Sequence, residues 1–240
     1  MDNSFYTTLT RQTGLLGEMQ SVANNIANIS TTGFRGEGAV FAEHVATLGH
    51  GQDSLSMAAA VGRRMDMSQG GLTRTGSAYD LAIEGDGFFL VETPDGERLT
   101  RAGHFTPDAN GELVTPDGYR LLDAGGAPVF VPPDARSVSV ASDGTLSADG
   151  NPLTVIGLWQ PNEADDLQHR TGVLFEAPGG VQPVLEYTVM QGFLEESNVN
   201  PVTEIARMIE VQRAYELGQS FLESEDERVR GFLRTVGART

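Results

Sequence analysis

The stretch "DLAIEGDGFFLVETPDGERLTRAGHFTPDANGELVTPDGYRLL", residues 80–122, sets short apolar runs between "PDG" (94–96), "DANG" (108–111) and a second "PDG" (116–118). Asp-Gly and Asn-Gly supply the positive φ angles that tight hairpin turns need. Downstream, "VFV", "VSV" and "VIGLW" continue the rhythm around "SDG" (142–144) and "ADGNP" (148–152). Turn signals at roughly 8–12-residue spacing predict an antiparallel all-β domain over 71–190, with sandwich and barrel both compatible.

The flanks follow a different period. Residues 4–29 read as one amphipathic helix, with Phe5, Leu9, Gln12, Leu16, Met19, Ala23 and Ile26 alternating by four and three, and Leu15, Val22 and Ile29 widening the stripe. Asn3 or Ser4 is placed to cap its start, and Gly33 to follow its end where a positive φ is needed. Near the C-terminus Asn200 caps a second helix with Pro201 in its first turn. Met208, Val211, Tyr215, Leu222, Val229, Phe232 and Val236 form its seam, which Gly218 and Glu225 interrupt, and Ile205, Ile209 and Phe221 form a second apolar edge. Residues 37–70, with "GHGQDS" and "MAAAVGRRMDM", read as an irregular linker.

The expected fold class is therefore α+β, mainly β. An N-terminal helical segment (1–36), a linker (37–70), a β-rich domain (71–190) and a C-terminal helical segment (191–240) follow one another, the two helices pairing as a coiled-coil-like domain. Periodicity alone leaves two arrangements open: the helices dock within one molecule, or their stripes face other subunits and order on assembly.

Composition narrows the function classes. With 240 residues, 39% hydrophobic, the chain has enough length for a core. No window approaches the roughly 18–20 apolar residues of a membrane-spanning helix, so a soluble protein is expected. The net charge of −17 lies mostly in residues 71–190, a surface that repels nucleic acid. Cysteine is absent, which removes disulfides, thiolate metal sites and cysteine nucleophiles. All sixteen Lys-or-Arg positions are arginine. The first twenty residues lack a basic leader, an apolar core and an Ala-x-Ala site, so no cleaved secretory signal is expected.

No catalytic, cofactor-binding or metal-ligating residue is nominated. His44, His50, His104 and His169 are isolated, without HExxH or an i,i+4 pair. "EGDGFF" (84–89) lacks the third glycine of a dinucleotide loop, and "SDGTLSADGN" fits two hairpin turns better than a calcium loop. Among thirty-three acids no pair is marked for glycoside hydrolysis.

Three ordered blocks carry a resemblance. "ANNIANISTTGFR" (23–35), "DLAIEGDGFFLV" (80–91) with "LTRAGHFTPDANGELVTPDGYRLL" (99–122), and "QGFLEESNVNPVTEIARMIEVQRAYE" (191–216) resemble the flagellar axial proteins, the rod and hook subunits of the bacterial flagellum. The short chain, the "MDNSFYT" opening and the compact 37–70 connection are most similar to the proximal-rod member; a distal-rod or hook-type subunit is the alternative. The more charged "ESEDERVRGF" departs from the family pattern.

The resemblance implies a non-enzymatic structural subunit, exported by the flagellar type III apparatus without a cleaved signal peptide and polymerised in the periplasmic rod. Its implied partners are proximal and distal rod subunits, the inner-membrane ring and export-gate complex, and the peptidoglycan-level bushing ring, with no nucleic acid, cofactor or membrane insertion. The terminal helices would form an inner tube, with Phe5, Leu9, Leu16, Met19, Ile26, Ile205, Ile209, Val211, Tyr215 and Leu222 at the assembly interface. The motif positions are Asn24, Asn25, Asn28, Thr32, Gly33, Phe34, Gly85, Gly87, Phe88, Phe89, Ser197, Asn198, Val199, Gln212 and Arg213. Asn24, Asn25 and Asn28 would hydrogen-bond across crowded helix ends, and Ser197 and Asn198 would organise entry to the returning helix. A periplasmic carbohydrate-acting enzyme and a surface-exposed β-rich adhesin are the readings of other classes that stay open.

Overall fold

A computed structural model describes residues 2–46, 55–163 and 166–237, with side chains described for 7–38, 64–163, 166–232 and 234. The chain falls into two compact units, one of residues 1–27, 37–65 and 200–240, the other of residues 28–36 and 66–199.

The first unit contains α1 (Asp2–Ala27), the strands β1 (Glu37–Ala46) and β2 (Leu55–Met65), and α2 (Pro201–Gly237). At 1.5 Å per residue the helices are roughly 39 and 56 Å long. α2 starts where its cap predicts, since Asn200 Oδ1 accepts from the backbone N–H groups of Val202 (3.0 Å) and Thr203 (3.2 Å). α1 ends two residues before the expected limit, and the chain turns through Gly33 at φ +70°.

Residues 37–65 are not an irregular linker. They form an antiparallel hairpin whose register runs from Glu37↔Met65 to Ala46↔Leu55, with one irregularity between Val40 and Phe41. Its alanines have little strand preference, so local sequence hides an element that backbone pairing and packing on α1 define. "GHGQDS", with His50, lies outside the described residues.

The second unit is β-rich. Its strands are β3 (Leu72–Arg74), β4 (Leu81–Glu84), β5 (Phe89–Thr93), β6 (Gly96–Thr100), β7 (Thr106–Pro107), β8 (Leu113–Val114), β9 (Arg120–Leu121) and β10 (Val138–Val140). They continue with β11 (Thr145–Ala148), β12 (Asn151–Val155), β13 (Trp159–Pro161), β14 (Gln168–His169), β15 (Leu174–Glu176), β16 (Val181–Pro183), β17 (Thr188–Gln191) and β18 (Phe193–Glu195). A seven-stranded sheet, β14-β15-β6-β5-β9-β8-β7, is accompanied by β10-β11-β12 and the pairs β13-β16, β17-β4 and β18-β3. The described pairings are antiparallel.

Leu81, Ile83, Phe89, Phe105, Leu121, Leu146, Ile156 and Val189 are among the buried side chains that fill the core of this unit. The aspartates at the turns hold the loops. Asp108 Oδ1 accepts from Asn110 N (2.8 Å) and Glu112 N (2.9 Å), and Asp123 Oδ1 accepts from Gly125 N (2.8 Å) and Ala127 N (2.9 Å). In the "SDG" turn Gly144 has φ +82°, and a Cβ there would stand 2.5 Å from the Ile156 carbonyl oxygen. Part of the acidity of this segment is thus turn chemistry.

The β unit also differs in extent from the expected 71–190. It recruits 28–36 from the N-terminal side and 191–199 from the C-terminal side, so β18 and its continuation do not belong to the helical segment.

Candidate assembly interface

α1 and α2 pair antiparallel within one chain. Asn25 Nδ2 donates to Glu204 Oε2 (3.1 Å), Arg207 Nε to Glu18 Oε1 (2.8 Å), and Gln12 Nε2 to the Tyr215 carbonyl (3.0 Å), so contacts descend α1 as they climb α2. Gly218, expected to interrupt the seam, lies directly against Gln12: a Cβ there would lie 2.4 Å from Gln12 Nε2. Gln12, Glu18, Ser21 and Asn25 are buried alongside Leu15 and Val22. The intrachain seam is therefore largely polar.

Asn25 answers for the asparagine-rich end of α1. Its Oδ1 accepts from Glu37 N (2.9 Å) and its Nδ2 donates to Glu37 O (2.9 Å), so the side chain serves the backbone of the departing strand as a partner strand would. Asn28 Oδ1 accepts from the Thr31 hydroxyl at 3.0 Å. Asn24 and Thr32 are half-buried.

The expected interface residues divide between two faces. Val211 is buried and Tyr215 and Leu222 are half-buried, whereas Leu9 (47% exposed), Leu16 (43%), Ile205 (51%) and Ile209 (45%) are open to solvent. Met19 and Ile26 are half-buried, and the side chain of Phe5 lies outside the described ones. At about 100° per residue, Leu9, Leu16 and Ala23 lie roughly 80–120° forward of Leu15 on α1, and Ile205 and Ile209 roughly 120–160° forward of Val211 on α2. In an antiparallel pair an equal sense of rotation leads to the same side. An exposed apolar strip therefore runs across both helices.

α2 carries more apolar surface than one chain covers, with Val202, Leu217, Phe221, Val229 and Phe232 also exposed. A groove of about 350 Å³ between the helices is lined by Arg11, Leu15, Leu217 and Phe221. Gln212 and Arg213 are exposed, and Gln212 Nε2 donates to Glu216 Oε1 on its own helix (3.1 Å).

In the β unit the remaining motif positions gather around a buried charge cluster that sequence reasoning did not find. Arg35, Arg101 and Glu195 are each at most 2% exposed. Glu195 Oε1 meets Arg35 Nη2 at 2.9 Å and its Oε2 meets Arg101 Nη1 at 3.1 Å, while Oε1 also accepts from Gly70 N (2.9 Å). Arg101 lies over the Phe88 ring at 5.2 Å and donates to the Gly85 carbonyl at 2.7 Å. Burial, only partly offset by Glu195, pulls the Arg101 guanidinium down to about 10 and lowers Arg35 as well. One carboxylate serves two cations.

Phe34 is fully buried with its ring edge-on to His169, and Gly33 packs where a Cβ would stand 2.3 Å from Ala102 N. Phe88 exchanges backbone hydrogen bonds with Trp159, and Phe89 packs edge-on to Phe105. Gly87 sits at φ +109°, where a Cβ would lie 3.2 Å from Leu158 Cβ. The Ser197 hydroxyl accepts from Val199 N, a half-buried residue, at 3.3 Å. Asn198 Oδ1 accepts from Gly36 N (2.7 Å), and its Nδ2 donates to the carbonyls of Asp66 (3.0 Å) and Ser68 (2.9 Å).

Among the described residues no three His, Asp or Glu side chains are grouped to hold a metal ion, and no helix is long and apolar enough to cross a membrane. His104 Nδ1 lies 2.6 Å from Asp80 Oδ1 and His169 Nε2 lies 2.7 Å from the Gly172 carbonyl oxygen; the side chain of His44 lies outside the described ones.

The family model described as the flagellar hook protein FlgE/F/G D1 domain matches residues 82–148, and the one described as the flagellar basal body rod FlgEFG protein C-terminal matches residues 190–230. The chain is 36% identical to the flagellar basal-body rod protein FlgF of Mesorhizobium japonicum over the whole of both chains, and 38% identical to that of Caulobacter vibrioides over 99% of each. It is 31% identical to the flagellar basal-body rod protein FlgG of Bacillus subtilis over 95% of this chain and 96% of that one. The chain belongs to the FlgF family of flagellar basal-body rod proteins.

Proposed function

We propose that the chain is a structural subunit of the proximal rod of the flagellar basal body, polymerising through its terminal helices into the drive shaft that transmits torque. The observation that carries this reading is the apolar strip across α1 and α2, with Leu9, Leu16, Ile205 and Ile209 exposed in the single chain. Apolar surface of this extent on paired helices is the mark of a further partner. The polar seam of Gln12, Glu18 and Asn25 sets the register inside one subunit, and the strip receives the helices of neighbouring subunits.

The subunit acts as a mechanical part and not as an enzyme. It assembles with other proximal and distal rod subunits, contacts the inner-membrane ring and export-gate complex at the rod base, and passes the peptidoglycan-level bushing ring. It reaches the periplasm through the flagellar type III route.

Leu16→Asp and Ile209→Asp test the reading in cells deleted for the chain. Each places a charge on the strip without touching the β unit, so basal bodies are expected to be absent while Trp159 emission stays native. Wild-type motility from either variant would remove the strip from the interface.

A further inference from the structure

The chain passes between its two units at four points: after Ala27, Gly36, Met65 and Val199. Inside the β unit the stretches next to these points are tied to one another. Asp66 N donates to the Gly36 carbonyl (2.7 Å), Gly33 N to the Glu195 carbonyl (2.8 Å), Glu196 N to the Gly71 carbonyl (2.8 Å) and Asn198 N to the Phe34 carbonyl (3.3 Å). The Asn198 side chain bridges Gly36, Asp66 and Ser68, Arg35 donates to Ser68 O, and Glu195 joins Arg35, Gly70 and Arg101.

We propose that this knot is a torque clamp, with Asn198 and Glu195 as positioning residues that bind the four passages into one root. The proposal rests on the rod reading above. Any covalent path by which force enters the β unit begins within a few residues of the knot. A force on one passage therefore meets hydrogen bonds to the other stretches in parallel, so it is shared among them instead of unzipping them in sequence. The clamp uses two layers. Glu195 with its arginines is buried in the unit, whereas Asn198 is half-exposed at its edge, so Asn198 can be altered without opening the core. In the free subunit the clamp bears no load.

The test places Asn198→Ala, Asn198→Asp and, as a neighbouring control, Thr73→Ala in cells deleted for the chain. Asn198→Asp keeps the acceptor for Gly36 N and loses the donor to Asp66 and Ser68. Thr73 donates only to Glu196 among the tied side chains. Folding is read by Trp159 emission, rod number by isolated basal bodies, and rotation by beads on hooks in media of rising viscosity. Asn198→Ala is expected to fold and to build rods in wild-type number, to turn at low load and to lose rotation at high load. Asn198→Asp falls between it and wild type, and Thr73→Ala follows wild type throughout.

Rotation of Asn198→Ala equal to wild type at every load overturns the clamp. So does a folded Asn198→Ala chain that builds no rods, because the knot then serves assembly. If Asn198→Ala does not fold, the intermediate load response of Asn198→Asp decides the question. Absence of the chain from basal bodies that the wild-type gene restores would instead refute the rod reading itself.

Discussion

Glu195→Ala should cost the β unit far more than removal of either arginine that it binds. Glu195 holds Arg35 at 2.9 Å and Arg101 at 3.1 Å in a site where all three are at most 2% exposed. Deleting one partner of a buried ion pair costs about 3–5 kcal/mol, because the remaining charge is left uncompensated. Here two guanidiniums are stranded, and Gly70 N loses its acceptor as well. We take about 4 kcal/mol as the expected loss, the bonds of Arg101 to Gly85 O and of Arg35 to Ser68 O keeping it from rising further.

Arg35→Met acts in the same direction but far more weakly. It leaves Glu195 in a one-to-one pair with Arg101 and removes the repulsion by which Arg35 helps to hold Arg101 down near 10. The cost of burying the Arg35 guanidinium, the main cause of its own lowered value, also disappears. What remains is a lost ion pair and the loss of one donor to the Ser68 carbonyl, which keeps its bond from Asn198 Nδ2, for a net loss of about 1 kcal/mol. The assay is urea unfolding of the full chain followed by Trp159, the chain's one tryptophan, whose backbone pairs with Phe88 beneath Arg101. With a slope of about 2 kcal/mol per molar urea, Glu195→Ala moves the midpoint down by roughly 2 M and Arg35→Met by roughly 0.5 M. An Arg35→Met shift as large as that of Glu195→Ala would refute the account of one carboxylate shared by two cations.

Two further outcomes follow from the turns and the unit boundary. Backbone N–H bonds, from Glu112 above all, lower Asp108, and those from Thr145 lower Asp143; burial raises Asp123, but its bonds from Thr154, Ala127 and Gly125 outweigh it. Each folded value lies below the unfolded one of about 3.9, so their contribution is complete above about pH 4 and is lost as pH falls through the folded values. The urea midpoint should accordingly fall below about pH 4 and Asp108→Asn should flatten that fall; an unchanged midpoint down to pH 3 would refute it. A fragment of residues 37–192 lacks Phe34, Arg35, Glu195 and Asn198 and should unfold readily, whereas 28–199 with 37–65 replaced by a short linker should unfold cooperatively. Equal stability of the two would show that the recruited ends are dispensable.

Much of the architecture was legible because local chemistry specified it. Asn200 and Pro201 start α2 as capping requires, Gly33 takes the positive φ expected after α1, and the Asp-Gly turns bound short antiparallel strands. The hairpin at 37–65 was not legible, since "MAAAVGRRM" carries no strand preference and its order comes from a partner. Arg35, Arg101 and Glu195 were invisible for a related reason: 66 and 94 residues separate Arg101 from its neighbours in the cluster, and no local period links them.

The helices show the sharper limit. A heptad stripe states that a helix has an apolar side, not which molecule covers it. Leu16 and Gln12 stand on the same expected seam, yet Gln12 is 7% exposed against α2 and Leu16 is 43% exposed. Inside one chain the buried choice went to the polar residue, because Gly218 admits the Gln12 amide to the Tyr215 carbonyl. A polar seam specifies register through hydrogen bonds, whereas an apolar strip tolerates several neighbours. That division suits a subunit that pairs its own helices in one way and assembles with other rod subunits.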